Sequence, residues 1–128
     1  MQRSYGVSFS DLIGKTLVSI DCKQKTDDDY IIFVTDSGEQ YVMYHYQDCC
    51  ESVEIEDIVG DLDDLIGTPI LNAEEVSNSA DQPRSEYHES YTWTFYKVAT
   101  IKGSVTIRWY GVSNGYYSES VSFERRKS

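Results

Sequence analysis

The chain has 128 residues, of which 40% are hydrophobic and two are prolines, so residues 1–128 are expected to fold as one globular domain. No stretch reaches the ~20 apolar residues of a membrane-spanning helix, and the first residues lack the apolar run of a secretory signal. The formal net charge is −11, and residues 26–83 hold sixteen acidic residues and no lysine or arginine. This charge argues against direct binding of nucleic acid or of an anionic membrane through that region.

The first predicted element is a short N-terminal helical turn, which Ser8 or Ser10 would cap and Gly14 would end. Beyond it, tyrosine is frequent, with 11 residues, and the apolar residues lean towards valine, isoleucine and aromatics. This composition favours strands over helices, and the glycine-containing turns between the strand-like runs predict hairpins. The predicted strands are residues 15–22, 30–35, 39–46, 70–76, 91–101, 104–110 and 117–123.

One amphipathic helix is predicted over about residues 53–66, because six apolar residues recur at spacings of three and four. Ser52 would cap its start, and Gly67 with Pro69 would end it. The predicted fold class is therefore α+β and strand-rich, with antiparallel sheets built from hairpins, this one helix and the N-terminal turn. The apolar stripe of the helix is Ile55, Ile58, Val59, Leu62, Leu65 and Ile66.

Two segments are expected to lie outside the packed elements. Residues 77–90 are polar and include a proline, and they predict a mobile loop. Residues 125–128 are mainly basic and predict a frayed tail.

The predicted helix would carry four carboxylates on one face, spread over ~15 Å at the rise of an α-helix. One charge per ~5 Å is of the same order as the phosphate spacing of ~3.4 Å along one DNA strand. Such an acidic face would mimic nucleic acid and occupy a basic groove of a partner protein. An ordinary solvated helix face is the alternative. The residues of the acidic face are Glu54, Asp57, Asp61 and Asp64.

The cysteines indicate a reducing compartment, since Cys22, Cys49 and Cys50 are odd in number and two are adjacent. His45 and the adjacent pair offer soft metal ligands, but neighbouring cysteines fit one zinc ion poorly, and buried packing is the alternative. A nucleophilic thiol is disfavoured, because the acidic neighbourhood raises the pKa of a thiol. No catalytic residue, metal ligand or cofactor is assigned, and the aspartate runs lack the calcium-loop pattern.

A second candidate site combines residues 45–51 with the aromatic turn that follows Trp109. A histidine beside carboxylates suits acid–base chemistry, and aromatic rings with polar tips suit recognition of a ligand or protein. Tyrosines on a solvated sheet face are the alternative interpretation. The residues of this alternative ligand site are His45, Asp48, Cys49, Cys50, Glu51, Arg108, Tyr110, Asn114, Tyr116 and Tyr117.

Two strings carry a family resemblance: HYQDCCESVEIEDIVGDLDDLIGTPIL (45–71) and TIRWYGVSNGYYSESVSF (106–123). They resemble a family of small uncharacterised proteins encoded mainly by tailed bacteriophages and prophages, and the resemblance covers most of the chain. It implies no activity and carries over no catalytic residue. It implies an accessory protein of the bacterial cytoplasm, where small acidic proteins often bind a host factor.

Three functions follow as hypotheses. The first is an acidic accessory protein that binds a host protein with a basic surface, such as a nucleic-acid-handling or defence enzyme, and inhibits or redirects it. The second is a small-ligand or metal-binding protein, enzymatic or not, in which His45 lies within a side chain's reach of residues 110–117. The third is a virion structural component. The sequence indicates no particular oligomeric state.

Overall fold

Alternating apolar residues form strands through most of the chain in the computed structural model, which describes residues 3–25, 28–46, 51–78, 90–113 and 119–127. Two short 3-10 turns, Phe9–Leu12 and Leu62–Leu65, accompany the strands. The strands are β1 (Arg3–Gly6), β2 (Leu17–Lys23), β3 (Tyr30–Thr35), β4 (Gln40–Tyr44), β5 (Ser52–Val59), β6 (Asn72–Asn78), β7 (Ser90–Thr100), β8 (Gly103–Ser113) and β9 (Ser122–Lys127).

The strands form two antiparallel sheets. The first sheet has the order β1-β9-β4-β3-β2, and the second has the order β5-β8-β7-β6. The hairpins β3–β4 and β7–β8 are the local units, and β9 joins the first sheet between β1 and β4 through pairings distant in the sequence.

The two sheets share one hydrophobic core. Phe9, in the first 3-10 turn, contacts aromatic rings of both sheets, with ring centroids 5.2 Å from Phe123 and 4.8 Å from Tyr96. The Trp109 indole N–H of the second sheet donates to Met43 Sδ of the first sheet at 3.0 Å. Burial of these large side chains is the main stabilising contribution, since each contributes about 1.5–3 kcal/mol when it is removed from water.

The predicted α+β class is wrong, and so is the amphipathic helix over residues 53–66. These residues form β5 and the second 3-10 turn, and no α-helix occurs in the described ranges. The helix-like spacing of this strand comes from a β-bulge. Ile55 pairs with Trp109 and Ile58 with Ile107, so a step of three residues on β5 lies opposite a step of two residues on β8.

The bulge explains why the strand has a helix-like pattern. It places Ile55 and Ile58 on the same face, and the 3-10 turn then repeats the spacing of three with Leu62 and Leu65. Val59, assigned to the same stripe, is instead 55% exposed. An i, i+3 pattern in a bulged strand therefore has the same apolar spacing as one face of a helix.

Gly60 is a second reason that no helix forms there. Its φ is +110°, and a Cβ atom at this position would lie 2.6 Å from the backbone oxygen of Ser104. Glycine permits both the left-handed backbone and the close approach to the β7–β8 hairpin. A glycine in the middle of a predicted helix is also an unfavourable residue for that helix.

Residues outside the predicted strands have mixed placements. Residues 125–127, expected to fray, lie in β9 and pair with residues 3–5 of β1. Residues 77–78 end β6 and residue 90 begins β7, while the rest of the expected loop lies outside the described residues.

Candidate functional site

The two sequence stretches that carry the family resemblance meet at one end of the molecule, through His45. Its Nδ1 atom lies 2.7 Å from the backbone oxygen of Ser120, and its Nε2 atom lies 3.0 Å from Glu51 Oε2. The His45 side chain is 5% exposed and that of Glu51 is fully buried. One imidazole therefore links the end of β4, the start of β5 and the segment that leads into β9.

The hydrogen-bonding roles of His45 follow from its partners. The Ser120 carbonyl oxygen can only accept, so Nδ1 carries a hydrogen and donates it. The contact with Glu51 then needs one further hydrogen, held either by Nε2 or by the carboxyl group. Both ring nitrogens therefore have partners within the fold, and His45 joins three segments of the chain.

A second polar group, the half-buried Glu119, lies next to this link and precedes Ser120 in the chain. Glu119 accepts hydrogen bonds from Thr92 Oγ1 at 2.9 Å and from Ser113 Oγ at 2.6 Å. A Cβ atom at Gly111 would lie 2.5 Å from the backbone oxygen of Glu119, so only glycine lets this segment cross β8 so closely. Gly111, Ser113 and Glu119 of the string WYGVSNGYYSES therefore all serve to hold this segment against β8.

The remaining residues of the alternative ligand site are not shown to lie beside His45 and Glu51. Arg108 and Tyr110 lie on the other face of β8 from Gly111, because side chains alternate along a strand. Tyr110 is fully buried rather than solvated. The other predicted members lie outside the described residues: Asp48, Cys49, Cys50, Asn114, Tyr116 and Tyr117.

The predicted acidic face is not a helix face. Glu54 pairs with Tyr110 in the β5–β8 ladder, and Asp57 contacts Arg108 Nη2 at 3.4 Å. Asp61 accepts a hydrogen bond from the Asp63 backbone N–H at 2.9 Å and caps the second 3-10 turn, which contains Asp64. The four carboxylates are thus divided between a sheet face and a turn.

Asp29, in the aspartate run considered for calcium, has a structural role. The residue is 3% exposed, and its carboxylate accepts the backbone N–H groups of Ile55 at 3.0 Å and Lys25 at 3.2 Å. Lys25 Nζ in turn donates to the backbone oxygens of Ile55 and Glu56, at 3.3 and 3.1 Å. These contacts cover the outer edge of β5, and no group of three potential metal ligands occurs within the described ranges.

Cys22 is the cysteine whose environment the structure describes. It is half-buried on β2, and burial is the main cause that raises the pKa of its thiol, followed by the charges of Asp29 and Asp21. A raised thiol pKa lowers the thiolate fraction and disfavours nucleophilic chemistry at this residue.

A feature that the sequence analysis missed lies on the outer face of the second sheet. Tyr91, Trp93 and Phe95 of β7 adjoin Tyr110 and Arg108 of β8, and we call these five residues the aromatic face. The Trp93 ring centroid lies 4.4 Å from that of Tyr110 and 6.3 Å from that of Phe95. The Arg108 guanidinium carbon lies 5.9 Å from the Trp93 ring centroid, in a cation–π contact.

The aromatic face is partly open to solvent. Tyr91, Trp93 and Phe95 are all intermediate in exposure, and Val76, which pairs with Phe95 from β6, is 42% exposed. The signal that predicts this face is the alternation of three aromatic residues at positions i, i+2 and i+4 within one strand.

The fold and its site define a two-sheet antiparallel β protein with a buried polar link at one end and an aromatic outer face. The chain belongs to the family described as Domain of unknown function (DUF7448), which matches residues 10–123. Comparison with curated proteins and with solved structures finds no match. Within the described part of the chain, no helix is both long enough and apolar enough to cross a membrane.

Proposed function

We propose that this protein is a non-enzymatic binding protein that docks onto a partner protein through the aromatic face. The carrying observation is the row of half-exposed rings, Tyr91, Trp93 and Phe95, beside the Arg108 guanidinium. Trp, Tyr and Arg are the residue types that dominate binding energy at protein interfaces. Their position on a paired sheet also lowers the entropic cost of binding, because the strands are already ordered.

The charges around the aromatic face favour a partner with a basic rim. Glu54 lies beside Tyr110, and Asp57, whose side chain is 52% exposed, lies beside Arg108. The net charge of −11 adds a long-range attraction for a basic protein and repels phosphate-rich molecules. This arrangement replaces the proposed acidic helix as the reason to expect a basic partner.

The family resemblance supplies the proposed context. The resemblance implies a phage accessory protein made in the bacterial cytoplasm, so the proposed partner is a host protein that this chain inhibits or redirects.

Affinity purification from a bacterial lysate, followed by calorimetry with the purified partner, tests this proposal. Trp93→Ser is expected to lower the affinity for the partner at least tenfold, which corresponds to ~1.4 kcal/mol of binding free energy. Val18→Ser is the matched control, because Val18 is 53% exposed on β2 of the other sheet. Thermal unfolding of both variants establishes that they are folded.

The salt dependence tests the charge argument separately. Affinity for a basic partner should fall as salt rises, and Asp57→Lys should weaken binding more than Asp36→Lys in the exposed β3–β4 turn of the other sheet. Equal binding of the wild type and Trp93→Ser would exclude the aromatic face. Absence of any protein partner at low and high salt would contradict the binding function itself.

A further inference from the structure

A groove of about 580 Å³ lies on the outer face of the first sheet, remote in the fold from the aromatic face of the second sheet. Its size falls within the range of small-molecule sites in proteins. We call it the tyrosine groove and define it by Tyr30, Ile32, Val42, Tyr44 and Arg126. Asp28, Asp29, His45 and Tyr46 also line it.

The strand register explains how the groove is built. Tyr30 pairs with Tyr44 and Ile32 pairs with Val42 in the β3–β4 ladder. These two aromatic and two aliphatic side chains are therefore neighbours on the same face of the sheet. Val42 is 2% exposed and Ile32 is half-buried, so Ile32 is the aliphatic side chain of this pair that the groove leaves accessible. Such a surface suits the flat face of an aromatic ring.

Arg126 adds a positive charge to this apolar surface. The neighbouring acid on the same face of β9, Glu124, accepts a hydrogen bond from the Tyr44 hydroxyl. This bond is the main cause that raises the pKa of Tyr44, so the hydroxyl keeps its proton and continues to donate to Glu124. Glu124 is therefore engaged with Tyr44, and no described carboxylate forms an ion pair with Arg126.

The other described arginine side chains differ from Arg126 in this respect. Arg108 contacts Asp57, and Arg125 donates to Glu39 Oε2 at 3.0 Å. An arginine without such a partner, beside the cross-strand pair of Tyr30 and Tyr44, offers two parallel N–H groups to a planar carboxylate. The acidic remainder of the chain, at a net charge of −11, disfavours a ligand with several negative charges.

We propose that the tyrosine groove binds a small molecule that combines one planar aromatic ring with one carboxylate group. The ring lies on Ile32 beside the Tyr30–Tyr44 pair, and the carboxylate pairs with the Arg126 guanidinium. This site is independent of the proposed docking surface, because the two lie on different sheets.

The test is a methyl NMR titration with 4-hydroxyphenylacetate as the probe and its neutral amide, 4-hydroxyphenylacetamide, as the comparison. Saturable shifts of the Ile32 and Val42 methyl signals are expected at millimolar concentrations of the carboxylate. The amide should bind at least tenfold more weakly. Arg126→Gln should reduce affinity for the carboxylate at least tenfold, whereas Arg126→Lys should retain part of it, because it keeps the charge and loses the planar pair of donors.

Lys97→Gln is the matched control, since it removes the same charge from an exposed residue of the other sheet. It should leave the titration unchanged. Three results would overturn the proposal: no shift up to 10 mM probe, equal binding of acid and amide, or equal binding by the wild type and Arg126→Gln. Shifts confined to signals outside the groove would overturn it as well.

Discussion

The Asp29 carboxylate holds the backbone N–H of Ile55 at 3.0 Å, which joins the β2–β3 connection to the edge of β5 in the other sheet. Ile55 is the residue at which the β-bulge begins, so this hydrogen bond fixes the chain where the strand pairing changes register. The bond is buried. Beside it, Lys25 Nζ donates hydrogen bonds to the backbone oxygens of Ile55 and Glu56 in the same stretch of β5.

Asp29→Ala is therefore expected to lower the free energy of unfolding by about 1–3 kcal/mol, because it leaves a buried N–H group without its acceptor. Asp29→Asn should retain part of that stability, since an amide oxygen can still accept. Urea unfolding measures both, with Asp36→Ala in the exposed β3–β4 turn as the control. A loss no larger than that of the Asp36 variant would show that the hydrogen bond contributes little.

The buried pair of His45 and Glu51 makes a second prediction. Removing one partner leaves an uncompensated buried polar or charged group, so His45→Ala should cost about 3–5 kcal/mol. The double variant His45→Ala, Glu51→Ala should cost less than the sum of the two single variants, because the two side chains are coupled. Additive losses in denaturant unfolding would contradict the coupling.

Glu39 predicts how stability changes with acidity. The hydrogen bond from Lys15, at 2.9 Å, is the main cause that lowers the Glu39 pKa below its ordinary value of 4.5. The folded pKa lies below the unfolded value, so this stabilisation is present above pH 4.5 and is lost as the pH falls through the folded pKa. Glu39→Gln should therefore lose stability at neutral pH and depend less on pH below 4.5.

Thermal unfolding at several pH values between 7 and 3 checks this prediction. Glu74→Gln, at an exposed position on β6, is the control, and its acid profile should follow that of the wild type. The same contact raises the pKa of Lys15 above its ordinary value of 10.5, so its contribution is lost only as the pH rises through that folded value. Parallel acid profiles for wild type and Glu39→Gln would refute the assignment.

Gly111 gives a prediction about packing. A methyl group there would lie 2.5 Å from the Glu119 backbone oxygen, so Gly111→Ala should destabilise by about 1–3 kcal/mol through overpacking. Gly38→Ala is the comparison, because Gly38 has a φ of +88° but no atom within 4 Å of the added methyl group. The Gly38 variant should lose only ~1 kcal/mol from backbone strain. If Gly111→Ala is no more costly than Gly38→Ala, the close crossing is absent in solution.

Local patterns predicted part of this fold, and the reasons differ between elements. The strands β3 and β4 lie where the alternation and the Asp36–Gly38 turn place them, because a hairpin depends on neighbouring residues. The helix prediction failed at residues 53–66, because a bulged strand has the apolar spacing of a helix. Within that window, the alternation of Val53 and Ile55 with Glu54 and Glu56 favours a strand, and Gly60 disfavours a helix. The backbone requirement at Gly60 comes from its contact with Ser104.

The candidate sites depended on contacts between distant residues. His45 contacts Ser120, 75 positions away, and no local pattern gives that pairing. The aromatic face could be predicted in part, because Tyr91, Trp93 and Phe95 alternate within one strand. The position of Tyr110 and Arg108 beside these rings depends on the β7–β8 register, which the local sequence does not give.

The place of β9 in the first sheet has a consequence for biosynthesis. The ribosome makes β9 after β1 to β4, yet β9 lies between β1 and β4 in the sheet. Until it emerges, β4 keeps an unpaired edge and Phe123 is missing from the ring cluster around Phe9. The nascent chain therefore carries an open, tyrosine-rich strand edge through most of its synthesis, and exposure to chaperones or to self-association is greatest in that interval.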